Sequence, residues 1–192
     1  IEIAELKAGD TLLIPAASSS VGIAAIQIAR IVGATPVALS RRSNKRQALL
    51  DLGAVHVIAS EEQDLVAETK KLTGNKGSRV VFDPVGGPTV ARLAAAIAPR
   101  GMLVLYGALS TEPTPLPLMD VLGKSLTVRG YLLFEITGDR KRLESAKKFI
   151  VDGLSLGKLK PIVAKTFPLD EIVEAHRYLE SNQQIGKIVV TV

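Results

Sequence analysis

Leu12-Leu13-Ile14-Pro15-Ala16-Ala17-Ser18-Ser19-Ser20-Val21-Gly22-Ile23 is an apolar run that breaks into a loop of small residues and then into a helical pattern. A strand that ends in a tight turn and feeds a helix leaves backbone N–H groups unpaired and pointing one way, with the positive end of the helix dipole behind them. Such a turn is an anion site. A pyrophosphate can approach it closely only if the side chains are small, and alanine, serine and glycine fill every turn position except Val21. On the spacing G-x-G-x-x-G, the glycine positions carry Ala17, Ser19 and Gly22. The glycine that survives is the one that lets the helix pack closely on its strand. Taken alone, the segment reads equally as a serine-capped helix after a buried strand, and the rest of the chain has to decide.

Outward from this stretch, short β-like runs alternate with helical ones. Strands are expected at 11–16, 35–40, 54–59, 78–82, 101–106 and 126–133, and helices at 20–32, 43–52, 61–72 and 89–98, with a further short helix after the prolines at 113, 115 and 117. The apolar residues of the first helix include Val21, Ala24, Ala25, Ile28 and Val32, and a helix apolar nearly all round, closed by Gly33, is expected to be buried. In the third, Glu61, Glu62 and Asp64 open and Lys70 and Lys71 close the helix, a charge order that suits its dipole. Strands that are apolar throughout, separated by helices, belong to a parallel sheet covered on both faces. The expectation is an α/β fold: a doubly wound, six-stranded Rossmann sheet in the order 3-2-1-4-5-6, with the ligand crevice at the carboxyl ends of strands 1 and 4. The serine-rich turn lies in that crevice, which favours the cradle over the bare cap.

Composition narrows the function. The 192 residues are 47% hydrophobic, enough for a sizeable core. No run reaches the roughly 18 apolar residues of a membrane span, and no signal-peptide pattern opens the chain. The chain begins at Ile1, and its first residues resemble the end of a helix, so a fragment is expected. With 0 cysteines it builds no disulfide, thiolate zinc cluster or cysteine nucleophile, which suits the cytoplasm. The net charge is +5, but the cations are spread along the chain and aromatics are only 4%, too few stacking platforms for nucleic acid.

The end of the second strand carries the next signal. A domain that selects NAD places an acid about 20 residues beyond the turn. Counting 18 positions from Gly22 reaches Ser40, followed by Arg41, Arg42, Ser43, Asn44, Lys45 and Arg46. Four cations with hydroxyl and amide donors suit a phosphate, and the 2′-phosphate of NADP is the natural occupant. Arg41 or Arg42 would stack beside the adenine and grip the phosphate, Ser40 would hydrogen-bond it, and Lys45 would neutralise it. The plain alternative is a solvated basic helix start. Against it, cations in a first helical turn oppose the dipole.

Asp83-Pro84-Val85-Gly86 and Tyr106-Gly107-Ala108 end strands four and five and would line the ribose and nicotinamide half of the crevice. Asp83 reads better as a carboxylate bonded to backbone groups at a strand end than as a catalytic acid. His56 lies in strand three, away from the crevice. His176 shares a helix face with Leu169, Ile172, Val173 and Leu179 and reads as a core or interface residue. Neither histidine has a partner at metal-ligand spacing, and the serines lack a His and Asp arrangement for nucleophilic catalysis.

Ala16-Ala17-Ser18-Ser19-Ser20-Val21-Gly22, the distal Arg-Arg-x-x-Lys, Leu52-Gly53-Ala54-Val55-His56-Val57-Ile58, Phe82-Asp83-Pro84-Val85-Gly86-Gly87 and the closing Gly186-Lys187-Ile188-Val189-Val190 together resemble the medium-chain dehydrogenase/reductase superfamily, nearest its quinone oxidoreductase and zinc-type alcohol dehydrogenase-like branches. Quinone oxidoreductase relatives usually carry Ala-x-Gly-Gly-Val-Gly where this chain has Ser19-Ser20. The resemblance implies NADPH as cofactor, with Ser18, Ser19, Ser20, Val21 and Gly22 at the pyrophosphate, Ser40, Arg41, Arg42 and Lys45 at the adenosine phosphate, and Val85, Gly107 and residues near Phe134 approaching the nicotinamide. Residues 1–134 would be the NADP-binding domain. Residues 135–192, with helices at 140–151 and 169–180 and strands at 162–166 and 187–192, would complete a GroES-like catalytic domain that supplies the substrate pocket and any zinc ligands. The parent would move a hydride between nicotinamide and a carbonyl, enone, alcohol or quinone, and would pair as a homodimer through the sixth strand. The chain alone would bind cofactor without turnover, and no residue in it is assigned a catalytic role. The competing expectation is a module that holds NADPH, or has lost even that, and catalyses nothing.

Overall fold

The structure, a computed structural model, describes residues 1–192. Leu12, Leu13 and Ile14 explain its plan. Successive strand residues point to opposite faces, so an unbroken apolar run needs cover on both. Leu12 and Ile14 pack with Ile26, Ala29 and Leu49, whereas Leu13 joins Val37, Ile58, Val90 and Leu103 on the other side. Strands β1 (Thr11–Ile14), β2 (Thr35–Ser40), β3 (His56–Ala59), β4 (Ser78–Asp83), β5 (Ile97–Leu105) and β6 (Thr127–Gly130) form one sheet in the order β3-β2-β1-β4-β5-β6. All its pairings are parallel, with Leu13 opposite both Val37 and Val81. This is the expected doubly wound arrangement.

Helices α1 (Ser20–Val32) and α2 (Arg46–Asp51) supply buried residues to one face, and α3 (Leu65–Leu72) and α4 (Thr89–Ala96) to the other. The inward face of α1 is Gly22, Ile23, Ala25, Ile26 and Ala29. Val21, expected inward, is 46% exposed, and the buried stripe of α1 runs through Gly22, Ala25, Ile26 and Ala29 beside it. Gly33 ends the helix in the left-handed region at φ 84°.

Element ends differ from expectation where local geometry overrides pattern. β1 stops at Ile14, before Pro15, which has no N–H to give a ladder, and before Ala16 at φ 49°. α4 stops at Ala96, since Ile97 is already extended and pairs with Ser78, so β5 begins there and passes an irregularity opposite Ser78 and Val80. α3 starts at Leu65 because Asp64 caps it, accepting from Val66 N and Ala67 N, and Glu61 and Glu62 therefore lie outside the helix. β6 is only Thr127–Gly130, and the chain turns there into a short helix. Residues 2–5 form turns, not a helix end.

After α5 (Leu118–Lys124) and β6 come α6 (Phe134–Thr137), α7 (Arg140–Ser155), β7 (Val163–Pro168), α8 (Ile172–Glu180) and β8 (Lys187–Thr191). β7 and β8 pair in parallel as a separate two-stranded sheet. Gln27 of α1 docks this unit: its Oε1 accepts from Lys160 N at 2.8 Å and its Nε2 donates to Lys160 O at 3.1 Å. No helix is long and apolar enough to cross a membrane.

Candidate cofactor-binding site

The left-handed turn at Ala16 brings Ala17 N to Leu39 O and Ser19 N to Ala16 O, at 3.3 and 3.0 Å. Ser19 caps α1, its Oγ accepting from Gly22 N at 3.0 Å. A Cβ on Gly22 would lie 2.7 Å from Ala16 O, Ala17 Cα and Ala17 O, so only glycine fits between helix and loop. The two readings of the opening stretch hold together: it is a serine cap and a close-approach glycine turn. Of the first N–H groups of α1, that of Val21 makes no bond within the chain. It is a donor for an anion at the positive end of the helix.

The carboxyl-terminal unit reaches this loop. Gly186 N donates to Ser18 O at 2.9 Å, and Ser19 and Gly186 form an isolated parallel bridge. Lys45 ties both to the end of β2, donating from Nζ to Ser18 Oγ at 3.1 Å, Asn182 O at 2.6 Å and Gln184 O at 2.9 Å. All three ammonium donors are thus engaged. Burial, and then the neighbouring Arg41 charge, hold this ammonium below its usual pKa. A cleft of about 340 Å³ opens beside the loop between Ser19, Ser20, Ile172, Leu179 and Ile188, with His176 on its wall. His176 is exposed on the cleft side of α8 and not in a core, because nothing in this chain covers that face of the helix.

The four cations after β2 separate into two groups. Arg42 Nε meets Glu61 Oε2 at 3.3 Å and Arg46 Nη2 donates to Gln63 Oε1 at 2.9 Å, both turned toward the segment that follows β3. The Arg41 side chain is exposed and makes no hydrogen bond or ion pair, and Lys45 faces the serine loop. Ser40 Oγ donates to Arg42 O at 2.7 Å. Sequence reasoning missed Glu61 and Glu62, placing them in a helix. A usable signal was present, since Asp64 is a sufficient cap and leaves two acids spare.

At the end of β4, Asp83 is fully buried and accepts from Val85 N at 2.9 Å and Gly86 N at 3.0 Å. It is the backbone-bonded carboxylate anticipated. Burial raises its pKa, and the two N–H groups partly oppose the rise. Tyr106 stacks on Phe82 with ring centroids 3.9 Å apart, and burial, then the Asp83 charge, pushes its hydroxyl well above the usual range. Gly107 lies against Pro84, where a Cβ would sit 2.8 Å from Pro84 O. Val85 is half-buried, and Ser110 N donates to its carbonyl at 2.8 Å. Phe134 stands apart, 77% exposed at the start of α6. Direct bonds therefore join Ser18, Ser19, Gly22 and Lys45, and the Pro84 contact joins the β4 and β5 loops, while Phe134 is tied to neither group. Because the sheet is parallel, both groups lie on one edge, outside the carboxyl ends of the strands.

The protein family described as zinc-binding dehydrogenase matches residues 20–151. This chain belongs to that family. Among relatives of this chain, 2-haloacrylate reductase of Burkholderia sp is 34% identical over 188 residues, covering 97% of this chain and 56% of the relative. Quinone oxidoreductase 1 of Escherichia coli strain K12 is 33% identical over 186 residues, covering 95% and 57%. The crystal structure of Escherichia coli quinone oxidoreductase complexed with NADPH superposes with a TM-score of 0.90 at 32% identity, covering 98% of this chain and 59% of that one. The chain thus spans little more than half the length of the curated relatives it matches. The zinc of the family's description finds no fit among these residues, since no three His, Cys, Asp or Glu side chains come together.

Proposed function

We propose that this chain is the NADPH-binding portion of a medium-chain oxidoreductase. One observation carries the reading: Lys45 Nζ, at the basic end of β2, bonds Ser18 Oγ in the glycine-and-serine turn, so the two loops that a dinucleotide phosphate must bridge are held side by side. The cradle fits the group, with a free N–H donor at Val21, no room for a Cβ at Gly22, and the Arg41 side chain uncommitted at the 2′-phosphate end. Ser18, Ser19, Ser20, Val21 and Gly22 would hold the pyrophosphate, Ser40, Arg41, Arg42 and Lys45 the adenosine phosphate, and Val85, Gly107 and Phe134 would border the nicotinamide. When bound, NADPH supplies a hydride, and the protein's part is orientation and exclusion of water. Asp83 stays bonded to Val85 and Gly86 and keeps that wall of the crevice in place.

In the whole oxidoreductase the hydride would pass between nicotinamide and a small carbonyl, enone, alcohol or quinone, and residues 135–192 would complete the catalytic domain. That arrangement accounts for the apolar residues exposed on β7 and α8, among them Val163, Ile172, Val173 and Leu179. By itself the chain would bind without turnover. A homodimer through β6 would cover an exposed edge strand flanked by Leu132, Leu133 and Phe134. The absence of cysteine suits a cytoplasmic protein. Titration of the chain with NADPH and NADH tests the reading. NADPH is expected to bind more tightly, and Arg41→Ala with Arg42→Ala to abolish the difference. Equal binding of the two nucleotides, or a preference that survives the double substitution, would refute the phosphate site.

A further inference from the structure

A line of bonds runs along the loop after β2, on the flank away from the serine turn. Ser60 N donates to Ser40 O at 2.8 Å and Glu61 N to Arg41 O at 3.0 Å, continuing the β2–β3 ladder beyond its strands. Side chains take it further: Arg42 Nε to Glu61 Oε2 at 3.3 Å, Ser43 N to Glu62 Oε1 at 3.2 Å, and Arg46 Nη2 to Gln63 Oε1 at 2.9 Å. Residues 60–63 thus hold residues 40–46 almost position by position. The strand order places β3 on one side of β2 and β1 on the other, so the line draws Arg42 and Arg46 away from the cradle. Arg41 and Lys45 are left outside it.

Charge agrees with this geometry. Arg41, Arg42, Lys45 and Arg46 carry four positive charges, Glu61 and Glu62 two negative ones, and the remaining +2 matches the roughly −1.5 to −2 of a phosphate monoester near neutrality. Four uncompensated cations would repel one another and splay the loop. With two carboxylates on the outer flank, the uncompensated charge stays on the inner one.

We propose that Glu61 and Glu62 are positioning residues for cofactor selection, anchoring the outer flank of loop 40–46 so that the unbonded Arg41 guanidinium, with the Lys45 charge beside it, faces a 2′-phosphate. The inference rests on the NADPH reading above. It opposes a simpler view, in which the two carboxylates merely repel a phosphate and their loss improves binding.

Glu62→Ala and Glu62→Gln in this chain separate the two. By calorimetric titration Glu62→Ala is expected to bind NADPH about fivefold more weakly, the effect of one ordinary solvent-exposed hydrogen bond, with NADH binding unchanged. Glu62→Gln keeps an acceptor for Ser43 N and should restore most of the affinity. In the cofactor-free protein the Ser43 amide should exchange its hydrogen faster in Glu62→Ala than in the wild type. Unchanged or tighter NADPH binding by Glu62→Ala, a parallel loss of NADH binding, or unaltered Ser43 exchange would each overturn the inference. A wild-type chain that does not distinguish NADPH from NADH would overturn the cofactor reading and the selection built on it, whereas Ser43 exchange reports the clamp separately.

Discussion

β1 and β8 are similar on paper, each a short run of branched apolar residues, yet their surroundings differ. In β1, Leu13 and Ile14 are wholly inaccessible, whereas no residue of β8 is buried and Phe167 is the one buried residue of β7. The central sheet has helices on both faces; β7 and β8 have α8 alone. Of the thirty-two buried apolar residues only Leu159, Phe167 and Ala175 lie beyond Phe134. The chain exposes 11052 Å², against roughly 8800 Å² for a self-contained 20.4 kDa protein by surface scaling. An apolar parallel strand is stable only as part of a three-layer stack, and the carboxyl-terminal unit contributes two layers. In the function proposed above, the catalytic domain supplies the third.

The largest test sets one region directly against the other. Leu13→Ala empties a site at the centre of the sheet and is expected to cost about 2–5 kcal/mol. Val173→Ser, on the uncovered face of α8, should stay within about 0.5 kcal/mol. Thermal unfolding of the two variants reads the contrast directly. A comparable loss at Val173 would show that the second unit holds a core of its own.

Next in size is the turn itself. Gly22→Ala drives a methyl group into backbone atoms of Ala16 and Ala17, which cannot rotate aside, at a cost of about 1–3 kcal/mol. The cradle moves with them, so NADPH affinity should fall by at least about tenfold, equivalent to one misplaced hydrogen bond or more. Gly123→Ala is the control: nothing lies within 4 Å of its Cβ, and in α5 it should stabilise by about 0.5–1 kcal/mol. If Gly22→Ala unfolds no sooner than Gly123→Ala, close packing does not explain the retained glycine.

Much of this was legible because it is local. Strand, turn and helix follow one another within residues 11–32, and alternation of the same unit fixes a parallel order with its crevice. What escaped depends on contacts distant in sequence. Lys45 reads as a free cation until residues 182 and 184 bring their carbonyls to it from 137 and 139 positions away. Glu61 and Glu62 read as helix-opening acids because charge pattern alone does not distinguish a first turn from the residues preceding a cap. His176 reads as a core or interface residue, and the choice stays open because periodicity marks an apolar face without marking what covers it. Even the start of β5 at Ile97 follows from pairing with Ser78, not from its own residues.

Lys45 also tests how independent the two regions are. Lys45→Met keeps the aliphatic stem and removes three donors, so the loop at 182–186, left to the backbone bond from Gly186 N to Ser18 O, should become the first site of proteolysis and amide exchange. The expected stability loss is about 1 kcal/mol, because water replaces much of what is removed. Amides of β1 should keep their protection. Uniform loss of protection across both regions would mean that they unfold as one unit, and the contrast between them would then be one of burial alone.

The smallest effect concerns protons. The Ser43 hydroxyl, and then its N–H, hold the Glu62 carboxyl below the ordinary value of 4.5. A carboxyl depressed in the folded state takes up its proton less readily there than in the unfolded chain. Its contribution is therefore complete above that ordinary value and is lost as pH falls through the depressed one. Because Glu62 is exposed, solvent screens the effect, and the readout is a difference between variants. The melting-temperature gap between wild type and Glu62→Gln should be flat at neutral to mildly acidic pH and should close below about 4.5. A gap that persists unchanged into acid would assign Glu62 a role in packing without a charge-dependent hold on Ser43. The central sheet would then keep its site through apolar burial alone, and its advantage over the β7–β8 unit would owe nothing to charge.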